Sequence, residues 1–343
     1  MTDKRRVLLV GAGGIGAIAA LNLERGGLAK VAAVLRSNFD VVNRKGFSIR
    51  SCDHGNLENW RPSQVLNAVP AVSDPSPAGR YDYVVCCTKN TPDAGPNLPD
   101  IVAPAVSPGH TVIVLIQNGL NIQRPFFRRF PSNVVLSGVS RIDAHELSPG
   151  VVEQKQHDLL HVGAFRGPGL DDDDDAEEQR REAARRFVEM YAAAGAATCL
   201  HRPDVDLDRW SKLVYNASFN PVCALTGLNA SELQVTGRAM DSMVVPAMRE
   251  VLAVATAAGH EIPEDVIDKT ISLNPVEDNI KPSMQVDFEK ASPTLGNLIE
   301  HENILGEVVR EAQKHGVATP ILSVMYEICC AHQWRFKKAR GLV

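Results

Sequence analysis

Lys212, Asn216 and Asn220 stand four residues apart in the stretch Asp206-Leu-Asp-Arg-Trp-Ser-Lys-Leu-Val-Tyr-Asn-Ala-Ser-Phe-Asn-Pro221. On a helix, positions i, i+4 and i+8 share one face. One ammonium and two amides would then point the same way, while Leu213, Val214 and Ala217 point elsewhere and pack. The spacing predicts a helix over 206–219 limited by Pro221, because the residue before a proline is biased away from helical angles. Asn is a mediocre helix former, so propensity does not explain two of them in line with a lysine. Such a face can be a solvated surface. It can equally offer a proton donor and two hydrogen-bonding amides to a carbonyl substrate.

A second chemistry-bearing stretch lies near the start. The apolar run Arg6 to Val10 has the character of a buried strand, and Ala17 to Leu23 reads as a helix. Between them stands Gly11-Ala12-Gly13-Gly14-Ile15-Gly16, a G-x-G-x-x-G in the strand–turn–helix setting that dinucleotide binding requires. Gly11 allows the tight turn, Gly13 lets the backbone approach a pyrophosphate, and Gly16 lets the helix lie close to the strand. The helix N-terminus offers free N–H groups to phosphate. Val31 to Leu35 is expected as the second strand. Where an NAD-binding unit would place Asp or Glu to hold the ribose, this chain has Arg36. A cation there suits a 2′-phosphate and favours NADP(H) over NAD(H), although a plain surface arginine past a strand end would look the same.

Two further apolar strands, Tyr81 to Cys87 and Thr111 to Ile116, end in Thr88-Lys89 and Gln117-Asn118-Gly119. Open α/β sheets bind ligands at the carboxyl ends of their strands, which makes Lys89 and Asn118 candidates, though plain turns read alike. Ser48 to Pro77 is polar and irregular, with room for one or two edge strands. Val134 to Val139 and Gly150 to Phe165 are expected as strands joined by a turn at Ser148-Pro149-Gly150. His157 and His161 fall within the latter without the H-E-x-x-H zinc pattern, so structural or solvated histidines are expected and no metal site. Arg166 to Gln179, with Gly-Pro-Gly and the run Asp171 to Asp175, is expected as a mobile acidic loop, lacking the spaced ligands and turn glycine of a calcium site. A helix is expected over Glu182 to Ala194, closed by Gly195, then a short strand over Cys199 to Pro203.

Beyond Val205 the strand-like runs stop. Helical patterns are expected at 206–219, 231–236, 239–258, 263–271, 297–315 and from 320 to 335. The layout is therefore an α/β Rossmann-like dinucleotide-binding domain over 1–202, then an all-α domain over 203–343. In such a dehydrogenase the substrate is expected in the cleft between the domains. There, ketone reduction needs hydride from the nicotinamide, a proton for the developing alkoxide, and donors that hold the substrate's carboxylate. A lysine desolvated in such a site can be that acid, since burial lowers its pKa toward the working pH.

The bulk numbers are consistent with a globular enzyme. The chain has 343 residues, 44% apolar and 22% charged, with a net charge of −5. That is enough for two domains, and there is no basic excess of the kind nucleic-acid binding leaves. No window approaches the ~18 apolar residues of a membrane span. Val7 to Val10 is too short for a signal-peptide core. The seven cysteines, without CxxC spacing, are expected as reduced thiols in a cytoplasmic protein. No nucleic acid or membrane partner is expected. A homodimer is compatible with the sequence, which carries no pattern that sets the oligomeric state.

Taken together, these residues resemble the ketopantoate reductase (2-dehydropantoate 2-reductase) family over nearly the whole chain. The carriers are the Gly11–Gly16 loop, Arg36, Cys87-Thr88-Lys89, Gln117-Asn118-Gly119 and the Lys212, Asn216, Asn220-Pro221 segment. Pro282-Ser283-Met284-Gln285-x-Asp287 and Glu300 ahead of Gly306 complete the set. The resemblance implies NADP(H) as cofactor, a small 2-keto acid as substrate, and a helical domain of the 6-phosphogluconate-dehydrogenase-like architecture. It implies Lys212 as general acid, and Asn216, Asn220 and Ser283 as substrate holders. Glu300 would bind the substrate hydroxyl or the cofactor ribose and help orient the acid, and Lys89 and Asn118 would face cofactor and substrate. The chain departs from the family pattern between Phe288 and Ile299, which is longer than expected. An unbroken register puts Leu295 at the glutamate position. Counting back from Gly306 and His315 restores Glu300, with Glu302 as the alternative. A different 2-keto acid or ketone as substrate, or a sensor that binds NADP without turnover, are the other readings.

Overall fold

A computed structural model of the chain describes residues 4–72, 79–167, 174–290 and 297–343, and all counts refer to them. The chain forms two units. The first comprises Met1–Thr88, Pro96–Gln117 and Ile122–Val205; the second comprises Lys89–Gly95, Asn118–Asn121 and Asp206–Val343.

In the first unit the order is β1 (Arg5–Val10), α1 (Gly14–Arg25), β2 (Ala29–Val34), α2 (Phe39–Lys45), β3 (Phe47–Ser51), β4 (Gly55–Trp60), β5 (Gln64–Leu66) and β6 (Tyr83–Cys86). There follow α3 (Leu98–Val102), β7 (Val112–Leu115), α4 (Arg124–Arg129), β8 (Val135–Arg141), β9 (Ala144–Ser148), β10 (Val151–Gln154), β11 (Leu159–Ala164), α5 (Asp174–Ala192) and β12 (Thr198–His201). Among the described residues, eight strands pair in the order β12-β11-β8-β7-β6-β1-β2-β5. The pairs from β5 to β8 are parallel; β11 runs antiparallel to β8 and parallel to β12.

The continuous apolar runs of the central strands have a physical cause. Val7 and Leu9 of β1 pack into one buried cluster, and Leu8 and Val10 into another. In β6, Tyr83 and Val85 join the first cluster, and Val84 and Cys86 the second. Side chains alternate across a strand, so both faces of this sheet are covered, as parallel sheets require.

A second sheet has the order β4-β3-β10-β9. Here the expected strand Gly150 to Phe165 needs correction. It is two strands, β10 in the small sheet and β11 in the large one. Asp53 holds the crossing between them: its carboxylate accepts from the Asp158 backbone at 2.9 Å and meets His157 Nδ1 at 2.7 Å. The strand β9 was not expected at all; Ser148-Pro149-Gly150 turns between it and β10. The polar stretch after Ser48 holds β4 and β5 as well as most of β3; residues 73–77 lie outside the described part. The expected loop is also corrected: Asp174 to Gln179 open α5, which begins at Asp174 rather than Glu182, and Asp174 and Asp175 complement the positive helix terminus. Asp171 to Asp173 lie outside the described residues.

The second unit is helical, without a strand among its described residues: α6 (Val205–Asn216), α7 (Phe219–Thr226), α8 (Ala230–Thr236), α9 (Val245–Ala257), α10 (Val266–Ser272), α11 (Ser283–Glu289), α12 (Glu307–His315) and α13 (Pro320–Ala339). Single π-helical turns, Met240–Val244 and Glu302–Gly306, lead into α9 and α12. The core gathers Trp210, Leu213, Val214, Ala217, Phe219, Met248, Val251 and Leu322.

The expected helix over 206–219 also needs correction. It ends at Asn216, and a new helix begins at Phe219. Pro221 has no N–H to donate to Ala217 and would clash with that carbonyl in a continuous helix. The Ser218 hydroxyl donates back to Val214 O at 2.5 Å, a local bond that competes with the helical ladder. Pro221 instead falls in the first turn of α7, where a missing N–H leaves nothing unsatisfied. The helix α11 was not expected, and the pattern at 297–315 becomes a coil followed by the π turn and α12.

Candidate active site

The glycine loop of the first unit is shaped by contacts that exclude side chains. Gly11 has φ +95°, and a Cβ there would meet Thr88 N at 2.7 Å. A Cβ on Gly16 would lie 2.0 Å from Gly11 O, so the helix can approach the strand only without one. Gly14 faces Ala144 O in the same way, at 2.3 Å. Gly13 differs. It caps the N-terminus of the twelve-residue α1 with no side-chain cap, and nothing lies within 4 Å of the Cβ it lacks. An open backbone at a helix N-terminus can accommodate a dinucleotide's pyrophosphate, and Gly11, Ala12, Gly13, Gly14, Ile15 and Gly16 are the residues that could hold it. Arg36 is exposed just past β2. The buried Asn38 donates to Ala12 O at 2.9 Å and to Glu146 Oε1 at 2.8 Å. It thereby ties the loop after β2 to the glycine loop. Sequence reading passed over Asn38, whose only signal was its place beside Arg36.

The second unit carries the other chemistry. Lys212 is half-buried on α6, and its ammonium donates to Asn118 Oδ1 at 2.7 Å. Asn118 Nδ2 donates to Glu300 Oε2 at 3.4 Å. Lys89 Nζ donates to Asp287 Oδ2 at 2.6 Å and lies 3.5 Å from Glu300 Oε2. The backbone N–H of Asn90 donates to Glu300 Oε1 at 2.9 Å. Lys212, Asn118, Glu300, Lys89 and Asp287 thus form one polar chain. Glu300 and Asp287 are buried within it, at 5% and 5% exposure.

Burial alone would lower Lys89, but the carboxylates of Asp287 and Glu300 outweigh it and hold the ammonium above its usual range. Asp287 is raised by burial, against the pull of Lys89. Both carboxylates face the Lys89 ammonium, and Lys212 joins them through Asn118.

Asn216 and Asn220 are buried, at 6% and 1% exposure, so their face is not solvated. With the helix broken at Asn216, Asn220 reaches its place from α7. Its Nδ2 lies 3.4 Å from Ser283 Oγ, at the start of α11. Its Oδ1 is buried without a hydrogen-bond partner, an acceptor such as a ligand hydroxyl would satisfy.

The glutamate at the chain's centre is Glu300. Glu302 turns to other partners: His301, Tyr326 OH at 3.0 Å and Arg310 at 3.1 Å. The hydrogen bond from His301 and these neighbours hold it down to about 2. Among the described residues His301, Glu302 and Cys330 form one group of metal-ligating types, but Arg310 already occupies the carboxylate.

Loop 118–121 is fastened by residues that sequence reading did not single out. Asn303 O accepts from Leu120 N at 2.8 Å, and its Nδ2 donates to Leu120 O at 2.8 Å. Arg209, buried and lowered by that burial to about 9, donates to Gly119 O at 2.9 Å. Gly119 has φ +99°, and a Cβ there would meet Asn303 O at 2.6 Å. Asp287 did carry a signal, one helical turn after Ser283. Asn303 carried none, since its partners are remote in sequence.

Two family profiles match the chain. That described as ketopantoate reductase PanE/ApbA covers residues 7–167, and its C-terminal companion covers 204–333. The uncharacterized protein YDL144C of Saccharomyces cerevisiae is 36% identical, covering 98% of this chain and 96% of that one. The crystal structure of 2-dehydropantoate 2-reductase from Methylococcus capsulatus is similar with a TM-score of 0.78 and 29% identity, over 96% of this chain and 97% of that one. D-mandelate dehydrogenase, in a structure with NADH and anilino(oxo)acetate, is similar with a TM-score of 0.79 over 98% of this chain and 99% of that one. At 19% identity this is a likeness of fold alone.

Proposed function

Since the chain belongs to the ketopantoate reductase family, we propose that it reduces a 2-keto acid with NADPH, ketopantoate being the substrate and pantoate the product. The chain is an oxidoreductase of a nicotinamide-dinucleotide family, and that much rests on the family itself. The finer reading is carried by one observation: the proton donor Lys212 is directed by Asn118, which is in turn joined to Glu300.

The bound cofactor supplies hydride to the carbonyl carbon of the substrate. Lys212 supplies the proton to the oxygen. Its N–H donation to Asn118 Oδ1 orients the ammonium. Asn216, Asn220 and Ser283 hold the substrate, and the unpartnered Oδ1 of Asn220 accepts from the substrate's hydroxyl. Glu300 balances Lys89 and orients Asn118. Arg36 takes the 2′-phosphate that separates NADPH from NADH.

The second reading keeps this chemistry but changes the keto acid. It is favoured by the long segment Phe288 to Ile299. A third reading is a protein that binds NADPH without turnover. The deciding experiment follows NADPH oxidation with ketopantoate beside 2-ketoisovalerate and other 2-keto acids. Strong selectivity for ketopantoate supports the first reading. Activity confined to other ketones moves the function to the second. Tight NADPH binding without turnover moves it to the third.

A further inference from the structure

Gln333 is buried on α13, with 1% exposure. Its Oε1 accepts from the backbone N–H of Ile299 at 3.0 Å. Its Nε2 donates to Asp93 Oδ2 at 3.1 Å and lies 3.4 Å from Ile299 O. One turn along the helix, Lys337 pairs with the same Asp93 at 2.6 Å. Asp93 stands three residues after Asn90, and Ile299 immediately precedes Glu300. Since Asn90 N donates to Glu300 Oε1, the contacts close into a ring: Asn90, Glu300, Ile299, Gln333, Asp93 and back along the chain to Asn90.

A neutral amide is needed at this point. The buried Ile299 N–H requires an acceptor, and the Asp93 carboxylate requires donors. A glutamine side chain supplies both. Glutamate of the same shape would keep the acceptor but lose the donor, and set two carboxylates against each other. Leucine would leave the Ile299 N–H and one side of Asp93 unpaired.

We propose that Gln333 is a positioning residue for the proposed reaction, fixing Glu300 against the loop that carries Lys89 and Asn90 without touching the reacting atoms. The claim that this affects turnover rests on the role proposed for Glu300; the latch itself does not.

The test compares wild type, Gln333→Glu and the double variant Gln333→Glu/Asp93→Asn, which exchanges donor and acceptor across the contact. Amide hydrogen exchange is read in the segments containing Asn90 and Ile299, and steady-state kinetics with NADPH and the best 2-keto acid are measured. Gln333→Glu is expected to speed exchange in both segments. It should also lower kcat by between about tenfold and a hundredfold, leaving KM for NADPH unchanged. The double variant should restore both. Should Gln333→Glu fail to fold, Asp93→Ala cuts the same ring from its more exposed side and should show the same split. Unchanged exchange at Ile299 overturns the latch. Faster exchange with unchanged kcat overturns the positioning role. A wild type inactive on every keto acid overturns the proposed function, while exchange still decides whether the latch exists.

Discussion

Lys212 and Asn118 are joined by a 2.7 Å hydrogen bond although 94 residues separate them in the chain. The amide can do this only in one orientation: Oδ1 faces the ammonium, and Nδ2 faces Glu300. A carboxylate at position 118 would hold the ammonium more tightly and repel Glu300. The Asn118 amide contributes no charge of its own to this contact, which suits the proton-releasing role proposed for Lys212.

Removing the acid should therefore act on turnover. Lys212→Ala is expected to lower kcat by ~10²–10⁴, the usual contribution of acid catalysis, with KM for NADPH unchanged. Asn118→Ala should lower kcat by roughly tenfold by freeing the ammonium's direction. A Lys212→Ala enzyme that keeps more than about a tenth of wild-type kcat would exclude the general-acid role.

Arg36 stands exposed, with no acidic residue in its place to hold a ribose hydroxyl. Arg36→Asp is expected to shift the NADPH:NADH preference toward NADH by roughly ten- to a hundredfold, the worth of a charged hydrogen bond. The ratio of kcat/KM for the two cofactors measures it. An unchanged ratio would remove the 2′-phosphate assignment.

Two glycines of one loop should fail in different ways. Gly16→Ala drives a Cβ against Gly11 O and should destabilise the fold by about 1–3 kcal/mol, read from chemical denaturation. Gly13→Ala has room in the free protein and should leave Tm within about 2 °C of wild type. It should raise the Kd for the cofactor roughly tenfold or more, since the methyl takes the place of a phosphate oxygen. Equal cofactor affinity would mean that the pyrophosphate does not approach there.

A pH effect on stability comes from the first unit. Asp158 is 1% exposed and accepts from Asn22 at 2.9 Å and Tyr191 at 2.6 Å. Burial nevertheless pushes its carboxyl up to about 6. The folded protein then holds a proton that the unfolded chain has lost above ~3.9. Stability from this group is greatest at low pH and falls as pH rises to about 6. Asp158→Asn removes the titration. Wild type should lose on the order of 1–3 kcal/mol relative to the variant between pH 4 and pH 7. A difference in stability that stays constant across this range would show that Asp158 ionises normally.

Much of this was decided by local sequence. β1, Gly11, Gly13, Gly16 and α1 sit as the pattern of apolar run, glycines and helix requires, because the constraints there act between near neighbours. The change to an all-helical unit after Val205 was legible for the same reason, through the loss of strand-like runs. Local spacing also misled where chemistry overrode it. Lys212, Asn216 and Asn220 have the spacing of one helix face, yet Pro221 breaks the helix and Asn220 is delivered by the next one. Only tertiary structure determined which strand-end residues join the helical unit: Lys89 and Asn118 fold with Lys212, Asp287 and Glu300. It also set Glu300 beside Lys89, Asn90 and Asn118, and gave Glu302 the partners His301, Tyr326 and Arg310. Asn303 and Gln333 had no signature at all. Their roles consist of satisfying the backbone groups of Leu120 and Ile299, and a buried N–H acquires its partner only when the chain is folded.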